Sequence, residues 1–449
     1  MLRATFRSPR AGEYARPGGP WDRPTLDELL TDAAPAPLRG RVARVAGGLR
    51  RLGVGPGDVV AWQSPNRDEV VLAYRACWRL GAIAAPVHHL AGPAERDRLL
   101  AALAPKVVLD LDALPDGPPV DGTWTEPGQL AAVLWTSGSS GAPKGVLHTQ
   151  ATLAYKAVGM AAAHGMRPDD CVLMPAPCAH ISGLLNGVTL PGVVPFRAVF
   201  MARWDPEEAL GIIERERVTF MVGPPTFFVS LMRTPGFRPG RVASLRLVSS
   251  GGAGVTSAFV DEASRVLGAR VKRTYGSTEA PSVVTDGAAV GAVELRLGEG
   301  GELLVRGPEV CVGYLDPAQT EAAFTDDGWF RTGDLATLDP VEIVGRIKDV
   351  IIRGGENVSA AEVEAVLEAH PAVHQAVAVG VPDELMGERV AAFVIASAPL
   401  GLDDVRAWFE RRGVARFKTP ERVEVVDALP LLPTGKPDRA ALRRLLAPG

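Results

Sequence analysis

Short apolar segments alternate with amphipathic stretches of about 10 to 15 residues along most of this chain, and the alternation narrows the folds that it can adopt. The apolar run 58–62 is predicted to form a buried strand, the stretch 67–81 a helix, and the run 82–87 the next strand. The same order recurs over 205–223 and 245–276. Strands that alternate with helices of this length form βαβ units and mostly parallel sheets. The sequence therefore predicts an α/β fold with βαβ-type sheets.

The pattern of predicted elements changes near residue 350. Two helices, two long strand-like runs and a short last strand follow within about 100 residues, which is a usual size for a separate domain. The helices are Ser359 to His370 and Leu402 to Arg412, and the strands are 373–381, 389–396 and 421–427. We therefore predict a large N-terminal domain over residues 1–348 and a small α+β C-terminal domain over residues 349–449.

The charge balance and the cysteine content exclude other classes of protein. Lys plus Arg total 48 against 52 Asp plus Glu, so the chain lacks the basic excess of a nucleic-acid-binding protein. Its 47% hydrophobic and 22% charged residues are typical of a globular chain. No apolar run approaches about 18 residues and none follows the N-terminal arginines, so we expect neither a membrane span nor a signal peptide. The four cysteines show no CxxC spacing and fit a reducing, cytoplasmic location.

The segment from Thr136 to Gly145 carries the strongest local signal of chemistry. It places three glycines, three serines and one threonine beside Lys144, directly after an apolar run. Glycines let a backbone approach an anion closely, hydroxyl and amide groups donate hydrogen bonds to it, and the lysine adds positive charge. The segment lacks the GxxxxGK[ST] pattern of P-loop proteins. It predicts a phosphate-binding loop, with a flexible turn as the alternative.

Two further segments suit nucleotide chemistry. In 274–280, Tyr275 follows a predicted strand and is placed either to stack on a base or to pack in the core. Thr278 and Glu279 offer the hard oxygen ligands that Mg²⁺ takes alongside substrate phosphates. Asp334 follows a glycine turn and suits either ribose hydroxyls or an ordinary turn.

Two charged segments follow, one near the predicted domain boundary and one near the C-terminus. The first places Arg346, Lys348 and Asp349 ahead of a predicted strand, and the second presents Lys436 in a loop. A surface charge cluster would also account for the first segment, so the residues alone leave its role open.

Taken in this order, these five segments resemble the ANL adenylating superfamily, which includes acyl-CoA synthetases, the adenylation domains of peptide synthetases and firefly luciferase. The resemblance extends from about residue 40 to the end of the chain. It implies that a carboxylate attacks the α-phosphate of MgATP to give an acyl-adenylate and pyrophosphate. It also implies that the small domain is mobile about a hinge near Asp349, and that a thiol, usually that of CoA, then takes the acyl group.

The resemblance further implies a role for individual residues. The catalytic residues would be Lys436, which reaches between the substrate carboxylate and the α-phosphate, and Glu279, Thr278 and His180. Glu279 would bind Mg²⁺, with Thr136 as a second metal-binding residue. The phosphate-binding residues would be Thr136, Ser137, Gly138, Ser139, Ser140, Gly141 and Lys144. Tyr275 would stack on adenine, and Asp334 and Arg346 would bind the ribose. The other nucleotide-binding residues would be Gly251, Gly252, Ala253, Gly276, Ser277, Thr278 and Lys436.

The segment 174–192 is similar to the family segment that begins the acyl pocket, and it indicates an uncharged acid. His180 stands at the family's aromatic or histidine gate position, with a buried core histidine as the alternative. The residues after it are small or apolar. The segment has neither the aspartate of amino-acid-activating relatives nor an arginine for a second carboxylate. The resemblance implies a small-molecule medium-chain, cyclic or aryl carboxylic acid as substrate and CoA as acceptor, with ATP and Mg²⁺.

Two other functions stay open. The chain is shorter than most relatives, and segment 336–346 lacks the usual hairpin with its turn glycine. These departures raise the alternative of a biosynthetic adenylating enzyme that uses another oxyacid, such as nitrite, or an amine acceptor. A binding protein without activity would require the loss of Glu279 or Lys436, and both are present. The sequence leaves the oligomeric state open.

Overall fold

The computed structural model describes residues 11–136, 143–432 and 435–446, so the predicted phosphate-binding residues from Ser137 to Gly141 lie outside the described residues. None of the helices in these ranges has the length and apolar character that a membrane crossing requires. The α-helices in the described ranges are α1 (Ala11–Ala15), α2 (Leu26–Ala33), α3 (Ala36–Arg51), α4 (Asp68–Arg79), α5 (Pro93–Leu103), α6 (Gln150–His164), α7 (Ile181–Gly183), α8 (Leu190–Val193), α9 (Pro206–Glu216), α10 (Pro225–Met232), α11 (Ser257–Leu267), α12 (Pro317–Ala323), α13 (Ala360–Glu368), α14 (Leu402–Arg411) and α15 (Arg439–Leu446).

The strands form four sheets. In chain order they are β1 (Val59–Gln63), β2 (Ile83–Val87), β3 (Val107–Leu109), β4 (Leu130–Thr136), β5 (Lys144–Thr149), β6 (Cys171–Met174), β7 (Arg197–Phe200), β8 (Phe220–Gly223), β9 (Leu247–Gly251), β10 (Arg270–Tyr275), β11 (Val284–Thr285), β12 (Ala288–Ala289), β13 (Glu294–Leu297), β14 (Glu302–Arg306), β15 (Gly313–Tyr314), β16 (Phe330–Thr337), β17 (Glu342–Arg346), β18 (Val350–Arg353), β19 (Glu356–Ser359), β20 (Val373–Asp383), β21 (Gly387–Ala396) and β22 (Arg422–Val425).

Two sheets with parallel centres form most of the N-terminal part. Their strand orders are β15-β5-β4-β2-β1-β3 and β12-β11-β10-β9-β8-β6-β7. The central strands run parallel, whereas β5, β15, β11 and β12 add antiparallel strands at one side of each sheet. Strands β2 and β6 are buried along their whole length, as parallel strands between helices require. This arrangement confirms the predicted βαβ-type sheets.

The second sheet brings two of the predicted site segments to one edge. Strand β9 ends at Gly251 and β10 ends at Tyr275, and the two strands run parallel with Thr274 opposite Gly251. The carboxyl ends of parallel strands meet at the same edge of a sheet. Residues 251–253 and 275–279 therefore lie side by side.

A four-stranded antiparallel sheet, in the order β13-β14-β16-β17, follows. Its last two strands pair Asp334 with Arg346, which sets these two side chains next to each other. The turn between the strands contains Asp339 at φ +64°, a left-handed conformation that aspartate tolerates. The expectation that segment 336–346 lacks the usual hairpin is therefore wrong, because Asp339 supplies the left-handed residue that a turn glycine would supply.

The last sheet, in the order β19-β18-β21-β20 with β22 beside β21, belongs to a small C-terminal domain. It shares one apolar core with α13 and α14 around Val363, Ala392 and Phe409. The fold class, with a large N-terminal and a small C-terminal domain, is therefore confirmed. Asp349 ends the short turn Ile347–Asp349, between β17 of the third sheet and β18 of the last. The boundary at 348/349 stays a prediction.

Candidate active site

The carboxyl ends of β9 and β10 leave no room for side chains on their glycines. A Cβ atom on Gly251 would lie 2.2 Å from the carbonyl oxygen of Thr274. Gly252 adopts φ +76°, and a Cβ atom there would lie 3.1 Å from Cε of Lys436. The missing side chain of Gly251 therefore lets β9 and β10 lie close together, and that of Gly252 lets Lys436 approach the backbone after β9.

A pocket opens at this edge of the sheet. Its empty volume is about 950 Å³, a figure that includes space open to solvent. Its lining combines a polar set of Gly251, Gly252, Gly276, Ser277, Thr278 and Lys436 with a second set that includes His180, Ile181, Leu185, Val222 and Pro224. Convergent polar groups beside an apolar wall are typical of small-molecule sites. The structure thus brings three predicted catalytic residues, Lys436, Thr278 and His180, to one pocket.

Glu279 follows Thr278 and is held by two neighbours. The backbone N–H of Cys311 donates to the carbonyl oxygen of Glu279 at 2.7 Å, and Oη of Tyr314 donates to Oε1 of its carboxylate at 2.8 Å. Glu279 is 9% exposed and Tyr314 is 6% exposed. Nζ of Lys144 lies 5.3 Å from the centroid of the Tyr314 ring. One tyrosine therefore contacts both the predicted magnesium carboxylate and the predicted phosphate-binding lysine.

The carboxylate of Glu279 fits a role in binding Mg²⁺. Oε1 accepts from Tyr314, whereas Oε2 forms no hydrogen bond with any residue in the described ranges. Within the same ranges, no three His, Cys, Asp or Glu side chains cluster to hold a metal by themselves. Mg²⁺ is usually bound through one or two carboxylates together with substrate phosphates, so one open carboxylate suits this mode. Thr136, the other predicted metal-binding residue, ends β4 directly opposite Lys144.

Tyr275, Asp334 and Arg346 form one connected group. Oη of Tyr275 donates to Oδ2 of Asp334 at 2.7 Å, and Nε of Arg346 donates to Oδ1 at 2.6 Å. Burial and the nearby Asp334 carboxylate raise the pKa of Tyr275 well above its usual value, so its hydroxyl stays protonated. The structure therefore joins the residue that was predicted to stack on adenine to the pair that was predicted to bind ribose. Each oxygen of Asp334 keeps a second lone pair for a further donor.

The segment that carries Lys436 docks on α10 of the large domain. Oγ1 of Thr226 donates to the carbonyl oxygen of Gly435 at 2.8 Å in a buried contact. A Cβ atom on Gly435 would lie 2.6 Å from Cε1 of Phe227, so only glycine allows this close approach. The ring of Phe227 in turn stacks on Trp204, with 4.4 Å between the ring centroids. One hydrogen bond and one aromatic surface therefore hold Lys436 in position.

Lys436 is surrounded by charges of other predicted site residues. Burial, together with a smaller effect of Arg346, lowers the pKa of Lys436 to about 8, although Asp334 and Glu279 act in the opposite direction. The lysine is therefore mostly protonated at neutral pH. Its position near both carboxylates agrees with a role at a phosphate between them.

His180 lines the pocket directly before α7. Its ring centroid lies 5.1 Å from that of His88, which stacks on His89 at 4.6 Å. Burial, with smaller effects from His88 and Lys436, lowers the pKa of His180 to about 3, so the ring is neutral at physiological pH. The chain then forms a π-helix over Leu184–Thr189, a feature that is frequent at functional sites. His180 therefore presents a neutral polar ring at the pocket.

Two protein-family models match the chain. The model described as AMP-binding enzyme matches residues 36–118 and 110–315, and the model described as AMP-binding enzyme C-terminal domain matches 362–436. The chain belongs to the AMP-binding enzyme family. The predicted membership of the adenylating superfamily is thereby confirmed.

Relatives of this AMP-binding enzyme include proteins named as a CoA ligase, a CoA synthase and a coenzyme A synthetase. The medium-chain fatty-acid–CoA ligase of Escherichia coli (strain K12) is 32% identical, over 87% of this chain and 82% of its own length. The feruloyl-CoA synthase of an Amycolatopsis species is 33% identical, over 91% and 93%. The solved structure of O-succinylbenzoate coenzyme A synthetase from Bacillus subtilis, in complex with ATP and a magnesium ion, has a TM-score of 0.80 at 27% identity, over 94% of this chain and 99% of that one.

Sequence reasoning missed several residues that build the site of this AMP-binding enzyme. Tyr314 contacts Glu279 from 35 positions away in the sequence. His148 contacts the backbone of Thr278 across 130 positions, and Thr226 contacts the backbone of Gly435 across 209. None of these three residues lies in the five segments on which the family resemblance rests. The available signal was a polar residue inside an apolar strand, as His148 is in β5.

Proposed function

We propose that this AMP-binding enzyme activates an uncharged medium-chain, cyclic or aryl carboxylic acid as its acyl-adenylate and transfers the acyl group to a thiol, that of CoA. The observation that carries the proposal is the convergence of Lys436 and Thr278 on one pocket, with Glu279 directly after Thr278. The CoA ligase names of the two curated relatives and the ATP and magnesium of the solved relative support the choice of reactants.

In the first half-reaction, a carboxylate oxygen of the acid attacks the α-phosphorus of ATP, and the bond from this phosphorus to pyrophosphate breaks. Negative charge grows on the phosphates, so positioning and fixed positive charge dominate catalysis. Lys436 supplies a cation in the pocket, and Lys144 supplies another next to Tyr314. Mg²⁺, when held by Glu279, would add further positive charge at the phosphates.

In the second half-reaction, the thiol sulfur attacks the acyl carbon, and AMP leaves with the electron pair of the broken C–O bond. We propose that the C-terminal domain, residues 349–449, turns about Asp349 between the two steps. Asp349 lies between two sheets and in neither of them, so a backbone change there would move Lys436 while both sheets stay intact. A lysine suits this delivery because it acts as a compact point charge.

The lining of the pocket supports an uncharged acid. Ile181, Leu185, Val222 and Pro224 offer an apolar wall. Within the described residues, the lining contains one cationic side chain, that of Lys436, which the reacting carboxylate requires. A second carboxylate on the substrate would therefore lack a partner in the pocket. We also propose a cytoplasmic location, supported by four cysteines that are all buried and free.

Pyrophosphate release across a panel of acids, with and without CoA, tests the proposal. We expect release with apolar monocarboxylic acids and a CoA thioester when CoA is present. Acid-dependent release without a thioester would identify a different acceptor, such as an amine. Release with nitrite and with no carboxylic acid would identify a different oxyacid. Absence of release with every acid would overturn the proposal.

The variant Lys436→Ala separates the two half-reactions. It should abolish adenylate formation and spare thioester formation from supplied acyl-adenylate, because the lysine is needed only while charge develops at the α-phosphate. Lys106→Ala is the matched control, since Lys106 forms a surface ion pair with Asp58. Equal loss of both steps in Lys436→Ala would contradict the assigned role.

A further inference from the structure

His148 is buried in β5, and both of its ring nitrogens face oxygen atoms. Nε2 lies 2.7 Å from the backbone carbonyl oxygen of Thr278, and Nδ1 lies 3.3 Å from Oγ1 of Thr152. Because a carbonyl oxygen only accepts, Nε2 carries the proton and donates it to this bond. Nδ1 is then left as an acceptor that faces the Thr152 hydroxyl. The hydrogen bond joins the strand that begins with Lys144 to the loop that carries Thr278 and Glu279.

This bond restrains the direction of Glu279. The peptide group between Thr278 and Glu279 is planar, so fixing the Thr278 carbonyl also fixes the N–H of Glu279 and the start of its side chain. The carbonyl of Glu279 is held by the N–H of Cys311, and its carboxylate is held by Tyr314. His148 adds a third contact that restrains Glu279, and the same hydrogen bond fixes the backbone of Thr278.

The other end of the same loop is held from α6, the helix that follows β5. Lys156 is 1% exposed, and its Nζ donates to the carbonyl oxygen of Ser282 at 2.8 Å. Ser282 has φ +47°, and a Cβ atom on Gly276 would lie 2.1 Å from its backbone nitrogen. The two ends of the segment 276–282 therefore abut, which leaves it little freedom to adjust. A change at Thr278 should thus be transmitted to Glu279 rather than absorbed by the loop.

We propose that His148 is a positioning residue, which sets Thr278 and Glu279 for MgATP through its hydrogen bond to the Thr278 carbonyl. The inference rests on the proposed function, because it assigns MgATP to this loop. Contacts that orient a metal-binding carboxylate typically contribute about 10- to 100-fold in affinity or activity. His148→Leu should therefore weaken MgATP binding by about this factor. His148→Gln, whose amide nitrogen reaches the position of Nε2, should bind MgATP nearly as the wild type does.

Calorimetric titration of the full-length protein with MgATP, without any acid, tests the proposal independently of turnover. A second titration with ATP and EDTA should show a smaller difference between the wild type and His148→Leu, because Glu279 contributes to ATP binding only through Mg²⁺. His164→Leu is the matched control. His164 lies on α6 and is buried, as His148 is in β5, but neither of its ring nitrogens has a hydrogen-bond partner among the described residues. This variant should bind MgATP as the wild type does.

Three results would overturn the proposal: wild-type affinity in His148→Leu, equal losses in His148→Leu and His148→Gln, or a loss of the same size without Mg²⁺. If thermal melting shows that His148→Leu does not fold, His148→Asn replaces it, since this shorter amide does not reach Thr278. Binding by the Gln variant and loss in the Asn variant would then support the proposal, and equal behaviour would overturn it. Failure of the proposed function would look different, because the wild type itself would not bind MgATP.

Discussion

Adenylate formation should weaken at alkaline pH because Lys436 loses its proton. Burial, together with Arg346, lowers the pKa of this lysine to about 8, whereas a free lysine titrates near about 10.4. Only the protonated amine is a cation that can stabilise the α-phosphate. The competent form is therefore nearly complete at pH values well below the pKa, and it is lost as the pH rises through about 8.

The size of the effect follows from this pKa. About nine-tenths of Lys436 is charged at about pH 7, half at about pH 8 and one-tenth at about pH 9. The value of kcat/KM for ATP reports the free enzyme, so it should fall about ten-fold between about pH 7 and pH 9. At saturating ATP the phosphates stabilise the cation, so kcat should persist to higher pH.

Initial rates of pyrophosphate release from about pH 7 to 9.5, at fixed ionic strength and free Mg²⁺, give this profile. Lys436→Arg is the comparison, because a guanidinium stays charged throughout the range. Its rate should be lower, but its decline near pH 8 should disappear. His180, with a pKa of about 3, titrates outside the range. A flat wild-type profile, or an unchanged decline in Lys436→Arg, would refute the reasoning.

Two substitutions test contacts around the predicted nucleotide-binding residues. Tyr314→Phe removes the hydroxyl that donates to Glu279. Because a nearly buried carboxylate then loses its donor, the free energy of unfolding in urea should fall by about 1.5–3 kcal/mol. An unchanged free energy of unfolding would contradict this. Gly251→Ala places a Cβ atom 2.2 Å from the Thr274 carbonyl oxygen, so β9 and β10 must separate, and both the melting temperature and ATP binding should fall. Gly254→Ala, where a Cβ atom would meet nothing within 4 Å, should match the wild type, and equal melting of the two variants would count against the argument.

Much of the fold could be predicted because buried parallel strands and amphipathic helices leave strong local patterns. Helices α4, α13 and α14 lie within two residues of their predicted ends. The hairpin over β16 and β17 could not be predicted in the same way. Its turn uses Asp339 in the left-handed region, whereas the expected signal was a glycine. Aspartate adopts this conformation less readily than glycine, so its presence in a sequence is a weaker signal of such a turn.

The candidate site likewise has one part that could be predicted from the sequence and one part that could not. Its hydroxyls and charges stand in short segments, so the residues indicated Thr278 and Lys436, and the family resemblance added Gly251. The contacts that orient them join distant positions, such as His148 to the backbone of Thr278 across 130 residues. Such contacts depend on the order of strands in the sheets, which a hydrophobic pattern does not specify. Tyr314 was missed for this reason, although it touches the predicted metal carboxylate directly.

The stacking of Trp204 on Phe227 lies directly beneath the backbone of Gly435. Indole emission responds to the polarity and packing around the ring. Departure of the segment that carries Gly435 and Lys436 should therefore expose Phe227 to water and change the fluorescence of Trp204. The chain has eight tryptophans, so the difference between rapid-mixing traces of the wild type and of Trp204→Phe would follow this segment in real time. Trp204 is therefore placed to report on the position of Gly435, the residue directly before Lys436.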